Sequence, residues 1–490
     1  MFKDKINKFL SDKYNKIFLA ILITAALIRL YFLFSNPYQP LWWDESEYAN
    51  KAKSIAFNTE YNDLWSPRKP ILLPLLSSII FKIFESELMV KLLIVIFSLI
   101  TISMVYFIGK KIYEKKIALI ATLFMSVLWL DIFFSNRLLT DVPSAALVAL
   151  TMFSFIKAKE NNNYFYLLGI LIALSYLMRV ANIMLIGILL INLLITERLS
   201  FLKNKKIWTS AIITAVIIGS YFIWLFTNYE NVVERLATLG EGVTPPFISS
   251  LFSYLSRFPS YLTIPFLITF LFGLIPMLIN VILGFDIMLK GKDKELTNSS
   301  FLLAWILPYL LFYGLILPNV EDRFLLPIFL PISLITANGL FKISDIIKNY
   351  NKDLAKIVIA LLIISGIILQ LIQTNNLIES KKDSYLIVKE AALWIKQNSN
   401  PTDLVISNSL PQNIYYSERN TTYFNSKQEF EDFIKVYKPK YMVASIFEQS
   451  YDWYYKYPED HKDTVIPVQA YFADQQKTQS ILIIYLFRYQ

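Results

Sequence analysis

The sequence predicts a polytopic α-helical membrane protein that ends in a small soluble α/β domain. Of its 490 residues, 55% are hydrophobic and 16% aromatic, whereas only 17% are charged. This composition is too apolar for a water-soluble globule of that length. Apolar runs recur up to residue 374, and shorter alternating segments follow from residue 375.

The apolar runs predict eleven membrane-spanning helices, because about 20 helical residues cross the hydrocarbon core of a bilayer. The predicted spans are 17–35, 88–109, 117–135, 142–158, 163–179, 182–197, 207–228, 261–289, 299–318, 323–342 and 355–374. The first is flanked by lysines and no small-residue cleavage site follows it, so we interpret it as an anchor and not as a signal peptide. Residues 1–374 are therefore assigned to a transmembrane domain.

Lysine clusters predict the orientation of these spans. The clusters at 3–16, 110–116, 157–159, 198–206, 290–294 and 342–356 all fall on one side if the 14-residue run 71–84 does not span. Basic residues concentrate on the cytoplasmic side, so we interpret 71–84 as a juxtamembrane helix on the outer leaflet and not as a short tilted span. The first outer loop is then 36–87, and the later outer segments are 136–141, 229–260, 319–322 and everything after about 375.

Residues 375–490 predict the extracytoplasmic α/β domain. Amphipathic patterns favour helices at 385–397 and 428–437. Short apolar runs favour strands at 404–407, 441–445, 465–472 and 481–487.

Composition also restricts the chemistry. The chain has no cysteine and a single histidine, His461, which excludes thiolate chemistry and disfavours a multi-histidine metal site or a Ser-His-Asp triad. The net charge of +9 does not indicate nucleic-acid binding, because the lysines cluster between apolar runs. Carboxylates, arginine, lysine and tyrosine remain as reactive groups.

An acidic, aromatic segment opens the first outer loop. Asp44, Glu45 and Tyr48 follow the first span directly, and a helix there would place Asp44, Tyr48 and Lys51 on one face. A solvated helix start, with acids near the positive end of the helix dipole, explains the same pattern.

Basic residues occur at the outer ends of several spans. Arg68 and Lys69 stand between two prolines ahead of 71–84, where they can contact lipid headgroups or the phosphate of a lipid-linked donor. Arg137 and Asp141 lie in the second outer loop, where Asp141 can also cap the next helix. Arg179 and Arg323 interrupt apolar stretches, although Arg323 can also pair with the adjacent acids at 321 and 322.

All of these acids and cations fall on the predicted outer side. Sugar transfer from a polyprenyl phosphate needs a carboxylate to deprotonate an acceptor hydroxyl and cations to stabilise the departing phosphate. The combination favours such a transferase, with its active site at the extracytoplasmic side of the cell membrane.

The pattern resembles the GT-C membrane glycosyltransferases, in the branch of protein O-mannosyltransferases and lipid A aminoarabinose transferases. The resemblance covers most of 15–345 and rests on Asp44, Glu45, Tyr48, Ala49, Lys69, Pro70, Arg137, Asp141, Pro143, Arg323, Leu325, Leu326, Pro327 and Pro331. It implies catalysis in residues 1–374 by an inverting single displacement.

The resemblance also implies individual roles. Asp44 looks like the catalytic carboxylate and Asp141 like a second acid of the site, with Glu45 as a further catalytic candidate. Lys69 is similar in position to the family's phosphate-contacting lysine, and Arg323 to a basic residue near the donor. Tyr48, Arg68, Arg137 and Arg179, which lie in or near these motifs, complete the predicted substrate-binding set. Arg68 departs from the aminoarabinose branch, which has a glutamate there, so the donor sugar stays open.

The expected partners are a polyprenyl-phosphate-linked sugar, membrane lipids and a lipid, glycan or protein acceptor. No cofactor is indicated, and the use of a divalent metal is left open. Two other functions remain: a proton-coupled secondary transporter, which would place ionisable groups near the midplane, and a membrane scaffold whose outer domain binds a partner.

Overall fold

Long apolar helices make up most of the structure, which is a computed structural model. It describes residues 2–59, 61, 65–66, 69–233, 248–289, 293–317, 319–474, 476 and 478–489. The first helices are α1 (Phe2–Ser11), α2 (Lys13–Ser35), α3 (Trp43–Phe57), α4 (Leu72–Phe84), α5 (Glu87–Ile112), α6 (Lys115–Val127), α7 (Trp129–Ser135), α8 (Asp141–Glu160) and α9 (Tyr164–Met178). They are followed by α10 (Met184–Glu197), α11 (Lys205–Asn228), α12 (Ser249–Ser256), α13 (Phe258–Leu283), α14 (Phe285–Leu289), α15 (Lys294–Leu315), α16 (Phe329–Lys348) and α17 (Lys352–Lys381). Short 3₁₀ helices occupy Val180–Ile183, Arg198–Lys203 and Asp322–Ile328.

The helix lengths confirm a polytopic membrane protein. Within the described part of the chain, nine helices are long and apolar enough to cross a bilayer, or ten if α6 and α7 count as one bent span. Each of the eleven predicted spans coincides with helical structure. The predicted span 163–179 forms α9, whose 15 residues are short for the hydrocarbon thickness.

The third predicted span is broken. The run 117–135 predicts one helix, but α6 and α7 meet at an angle of 53°. The backbone N–H of Trp129 donates to Oε1 of Gln370 at 2.8 Å, and Nε2 of Gln370 donates to the carbonyl of Tyr261 at 2.8 Å. The inserted side chain of Gln370 thus replaces a helical hydrogen bond and causes the kink.

The C-terminal residues form the predicted small sheet domain. Its helices are α18 (Leu386–Asn398), α19 (Leu410–Ser417), α20 (Lys427–Tyr437) and α21 (Asp452–Asp460), and its strands are β1 (Val405–Ser407), β2 (Thr421–Thr422), β3 (Tyr441–Ser445), β4 (Val465–Phe472) and β5 (Ser480–Phe487). The sheet order is β2-β1-β3-β5-β4, with β2, β1 and β3 parallel and β5 antiparallel to both β3 and β4. The sequence did not predict α19, β2 or α21.

Alternating side chains bury both faces of this sheet. Val405 and Val443 pack on one face against α18, whereas Ile406 and Met442 pack on the other face against Phe430 of α20. This period of two is the physical reason why the short apolar runs identified the strands.

Contacts divide the chain into two compact units. One unit comprises Met1–Ser35, Ser66–Leu72 and Lys91–Glu379, and the other comprises Asn36–Trp65, Leu73–Val90 and Ser380–Gln490. The second unit therefore combines most of the predicted first outer loop, 36–87, with the sheet domain. Our predicted domains, 1–374 and 375–490, follow chain order and remain a prediction.

Helix α3 packs directly on α19 within the second unit. The backbone N–H of Leu41 donates to the hydroxyl of Tyr416 at 2.9 Å, and Nδ2 of Asn50 donates to the carbonyl of Pro411 at 3.0 Å. The segment that begins the first outer loop is thus held by hydrogen bonds to a helix more than 350 residues away in sequence.

Candidate active site

A buried carboxylate lies at the start of α8 in the first compact unit. Asp141 is the first residue of that helix and its side chain is only 2% exposed. Its Oδ1 forms an ion pair with Arg179, and its Oδ2 lies 3.8 Å from Nη1 of Arg323. A buried carboxylate needs such partners, and the N-terminal end of the helix adds a favourable dipole.

Breaks in helical structure position the two arginines. Arg179 is the residue between α9 and the 3₁₀ turn Val180–Ile183, and Arg323 lies in the 3₁₀ turn that precedes α16. Sequence-distant residues thus meet at one carboxylate because each stands where a helix begins or ends.

Aromatic side chains orient Arg179. Its Nε donates to the hydroxyl of Tyr313 at 3.1 Å, and its guanidinium group lies 4.5 Å from the ring centroid of Phe324. Stacking on Phe324 restricts the guanidinium plane while leaving it charged.

Glu321 and Asp322 pair with different arginines. Nε of Arg323 donates to Oε2 of Glu321 at 2.5 Å, whereas Asp322 accepts from Arg257 at 2.6 Å and from the hydroxyl of Tyr261 at 2.7 Å. Arg323 therefore contacts an adjacent acid, as one of our interpretations predicted, and also reaches Asp141. The side chain of Glu321 is 39% exposed, so its pairing with Arg323 is solvent-screened and weak compared with a buried pair.

Asn182 links three helices behind these charges. Its Nδ2 donates to the hydroxyl of Ser144 at 2.8 Å and to the carbonyl of Ser175 at 2.9 Å, while its Oδ1 accepts from the hydroxyl of Tyr309 at 3.0 Å. The side chain is fully buried, and this network holds the turn that carries Arg179.

The remaining predicted cations have different surroundings. Arg137 is buried, 1% exposed, in the turn between α7 and α8. Lys69 is partly buried, and its backbone N–H donates to the carbonyl of Ser66 at 2.9 Å. Both belong to the same compact unit as Asp141. The predicted site residue Arg68 lies outside the described residues.

The acidic segment of the first loop forms the start of α3 in the second compact unit. Glu45 is fully buried and its Oε2 accepts from the backbone N–H of Trp42 at 2.7 Å, so it stabilises the beginning of the helix. Asp44 is partly exposed, and the buried Tyr48 contacts Trp65 edge to face, with ring centroids 5.9 Å apart. The helical spacing that we predicted for Asp44, Tyr48 and Lys51 is present in α3.

A second buried ion pair was missed from the sequence. Nη2 of Arg29 in α2 lies 2.6 Å from Oδ2 of Asp131 in α7, and both side chains are fully buried. Nε of Arg29 also donates to Ser98 at 2.6 Å. The available signal was the presence of one ionisable residue within each of two otherwise apolar predicted spans.

The described residues contain no group of three or more histidine, aspartate or glutamate side chains arranged to hold a metal ion. The charged groups around Asp141 are instead one carboxylate and two guanidinium groups, a combination suited to binding an oxyanion.

Comparisons with known proteins identify a matching family model and a shared fold. The model of the dolichyl-phosphate-mannose-protein mannosyltransferase family matches residues 68–224. No curated protein sequence matches the chain.

Solved structures resemble most of the chain. ArnT from Cupriavidus metallidurans in the apo state is 12% identical, with a TM-score of 0.69 over 95% of this chain and 97% of ArnT. The same protein bound to undecaprenyl phosphate gives a TM-score of 0.68 at 12% identity over the same shares. The apo oligosaccharyltransferase of Archaeoglobus fulgidus is 14% identical, with a TM-score of 0.59 over 88% of this chain and 69% of that protein. The chain therefore has the GT-C fold of membrane glycosyltransferases.

Proposed function

We propose that this protein transfers a monosaccharide from a polyprenyl-phosphate carrier to an acceptor at the outer face of the cell membrane. The observation that carries the proposal is the meeting of Arg179 and Arg323 at buried Asp141 in a chain with the GT-C fold. ArnT, which shares that fold, has been solved with undecaprenyl phosphate bound.

The two arginines are the proposed phosphate-binding groups. Asp141 keeps both guanidinium groups in place, because a buried carboxylate is strongly stabilised by them. Glu321 is a weak, partly exposed partner of Arg323, so a donor phosphate can take its place. Arg137 and Lys69 supply further positive charge in the same compact unit.

Asp44 is the proposed base of an inverting displacement. Its carboxylate accepts the proton of an acceptor hydroxyl while the acceptor oxygen bonds to the anomeric carbon and the carbon–oxygen bond to phosphate breaks. The polyprenyl phosphate leaves with the bonding electrons, and the arginines stabilise its charge. Asp44 suits this role better than Glu45, because Glu45 is fully buried and accepts a backbone N–H at the helix start.

Asp44→Asn tests the base. We expect transfer by the purified, full-length protein to fall about 10²- to 10⁴-fold, the usual contribution of a general base, with little change in donor binding. Turnover of synthetic polyprenyl-phosphate sugars measures this directly.

Glu47→Gln is the matched control in the same helix. Glu47 accepts from Nε1 of Trp43 at 2.9 Å, and its substitution should leave turnover within about threefold of the wild type. Full turnover in Asp44→Asn, or a product that retains the donor's anomeric configuration, would refute the proposed mechanism. Mass spectrometry of the lipid that copurifies with the protein identifies the donor class.

A further inference from the structure

An apolar groove of about 450 Å³ lies among α8, α9, α10 and α11, apart from the charges around Asp141. Its lining includes Ile172, Ile186, Leu189, Ile218, Gly219 and Phe222. The groove has the size of a small-molecule pocket, but its walls are almost entirely hydrocarbon.

Helix packing explains why the groove is open. Helix α11 packs along α9, whereas α10 packs along α15, so α10 and α11 leave a space between them. Of the most apolar 18 residues of α11, only 22% are buried inside the protein. The corresponding share for Val180–Lys203 is 33%. These surfaces belong to helices that span the bilayer, so the groove is exposed to the acyl chains of membrane lipids.

Lys159 lies at one end of the groove. Its Nζ is 4.7 Å from the ring centroid of Phe155, a lining residue, and donates to Oδ1 of Asn192 at 2.5 Å and to Thr196 at 3.3 Å. Asn192 is next in sequence to the lining residue Leu193. An amide and a hydroxyl thus hold the ammonium group beside the hydrocarbon wall, where the carboxylate of Glu197 is close enough to interact with its charge.

Lys206 provides a second cation at the same end. It precedes the lining residue Ile207, and its Nζ donates to Oδ1 of Asn163 at 2.6 Å. Among the described residues, the hydrogen bonds of both ammonium groups go to neutral side chains. By contrast, nearby Lys157 and Lys111 pair with Glu160. The lysine asymmetry of the sequence predicts that this end faces the cytoplasm.

We infer that the groove binds an anionic phospholipid of the inner leaflet, with an acyl chain between α10 and α11 and the phosphate at Lys159 and Lys206. Basic pockets between transmembrane helices on the cytoplasmic side bind anionic headgroups in this way. The site lies on different residues from the proposed donor-binding arginines, so lipid binding there can be measured without sugar transfer.

Native mass spectrometry of the full-length protein tests the inference. The protein is exposed in detergent to equal amounts of dioleoyl phosphatidylglycerol and dioleoyl phosphatidylcholine. We expect one phosphatidylglycerol to be retained preferentially. Lys159→Gln and Lys206→Gln should each lower the affinity for phosphatidylglycerol about fivefold. The double variant should lower it roughly 25-fold, because each lysine contributes separately to anion binding. Lys356→Gln is the control, since Lys356 is 77% exposed on another cytoplasmic cluster.

Leucine substitutions at two glycines test whether the apolar lining of the groove binds the lipid. A Cβ at either Gly219 or Gly187 would meet no atom within 4 Å, but only Gly219 is among the residues that line the groove. Gly219→Leu should lower retention of both lipids about tenfold by filling the groove, whereas Gly187→Leu should bind as the wild type does.

Three outcomes would overturn the inference. They are equal retention of the two lipids by the wild type, equal retention by the two leucine variants, and one-for-one displacement of phosphatidylglycerol by undecaprenyl phosphate. The last result would identify the groove as a binding site for the carrier tail. Because lipid binding is measured without transfer, the proposed enzymatic activity is tested separately, by the turnover of Asp44→Asn.

Discussion

At the scale of single residues, the position of a charged pair determines what it does. Asp141 is 2% exposed and depends on Arg179 and Arg323, so loss of either partner leaves a buried carboxylate poorly compensated. Arg257 and Asp322 are 43% and 32% exposed, and such pairs contribute little to stability. The buried ion pairs of Asp141 and the exposed pair Arg257–Asp322 therefore differ in their expected roles.

Arg323→Gln is predicted to weaken donor binding. Removing one of the two guanidinium groups at the proposed phosphate site should raise the donor KM about tenfold or more, since hydrogen bonds between charged groups contribute about 1.5–3 kcal/mol. Arg257→Gln, which removes the more exposed arginine, should leave KM unchanged. Steady-state kinetics with varied donor concentration compares the two variants, and an equal KM in both would contradict the role of Arg323.

At the scale of helices, polar side chains and small residues determine the packing. Gln370 interrupts the α6–α7 helix by bonding Trp129 and Tyr261. The carbonyl oxygen of Thr269 in α13 would overlap a Cβ at Gly339 in α16, and Gly273 N would stand only 2.5 Å from it. Gln370 thus sets where the helix bends, and Gly339 allows α13 and α16 to pack closely. The length of an apolar run specifies neither feature.

Gln370→Leu is predicted to destabilise the break between α6 and α7. The substitution leaves the N–H of Trp129 and the carbonyl of Tyr261 without their partner in a buried region, at a cost of about 1–3 kcal/mol for each group. Thermal unfolding of the detergent-solubilised protein measures the loss. Gln373→Leu, on the same helix but partly exposed, is the control and should unfold near the wild-type temperature.

Gly339→Leu is predicted to separate α13 from α16. A side chain at this position has to displace backbone atoms, so we expect a loss of stability of about 3 kcal/mol or more, at or beyond the upper end of common overpacking costs. Gly187→Leu meets open space and should retain wild-type stability. Similar unfolding temperatures for the two variants would show that the helices do not need the close contact.

At the scale of the whole molecule, each compact unit is assembled from separate stretches of the chain. In the second unit, Glu418 joins α3 to the sheet domain, because it lies 3.5 Å from Nζ of Lys53 and 2.5 Å from Nζ of Lys396. Burial by itself raises the pKa of the Glu418 carboxyl, but the hydrogen bond to Lys396 and the charge of Lys53 outweigh burial and lower the pKa below its ordinary value.

This linkage predicts that acid weakens the attachment of α3. A carboxyl whose pKa is lower in the folded state stabilises the fold above its unfolded pKa, and the contribution is lost as the pH falls through the folded pKa. Amide hydrogen exchange in α3, corrected for intrinsic rates, should therefore accelerate as the pH falls from about 6 to 3.

Glu418→Gln should remove that part of the pH dependence and give weaker protection of α3 at about pH 6. Asp403→Asn is the control, because Asp403 pairs with Lys440 at 2.8 Å, away from α3. An identical pH profile of α3 in the wild type and in Glu418→Gln would contradict the proposed link.

The sequence by itself determined the polytopic architecture and four of the five strands of the C-terminal domain. The thickness of the bilayer imposes a length on every span, and a two-sided sheet imposes a period of two, so both leave a local pattern. The family resemblance likewise came from short motifs, one around each of Asp44, Asp141 and Arg323.

Only the tertiary structure decided which of these residues meet. The pairs Arg29–Asp131 and Arg179–Asp141, the kink caused by Gln370 and the packing of α3 on α19 all join residues between 38 and 375 positions apart. Hydropathy and spacing predict which residues are buried, but they do not predict which distant residues contact them. A buried charge is stable only with a compensating polar or charged group, and the fold determines which residue provides it by bringing the ends of separate helices together.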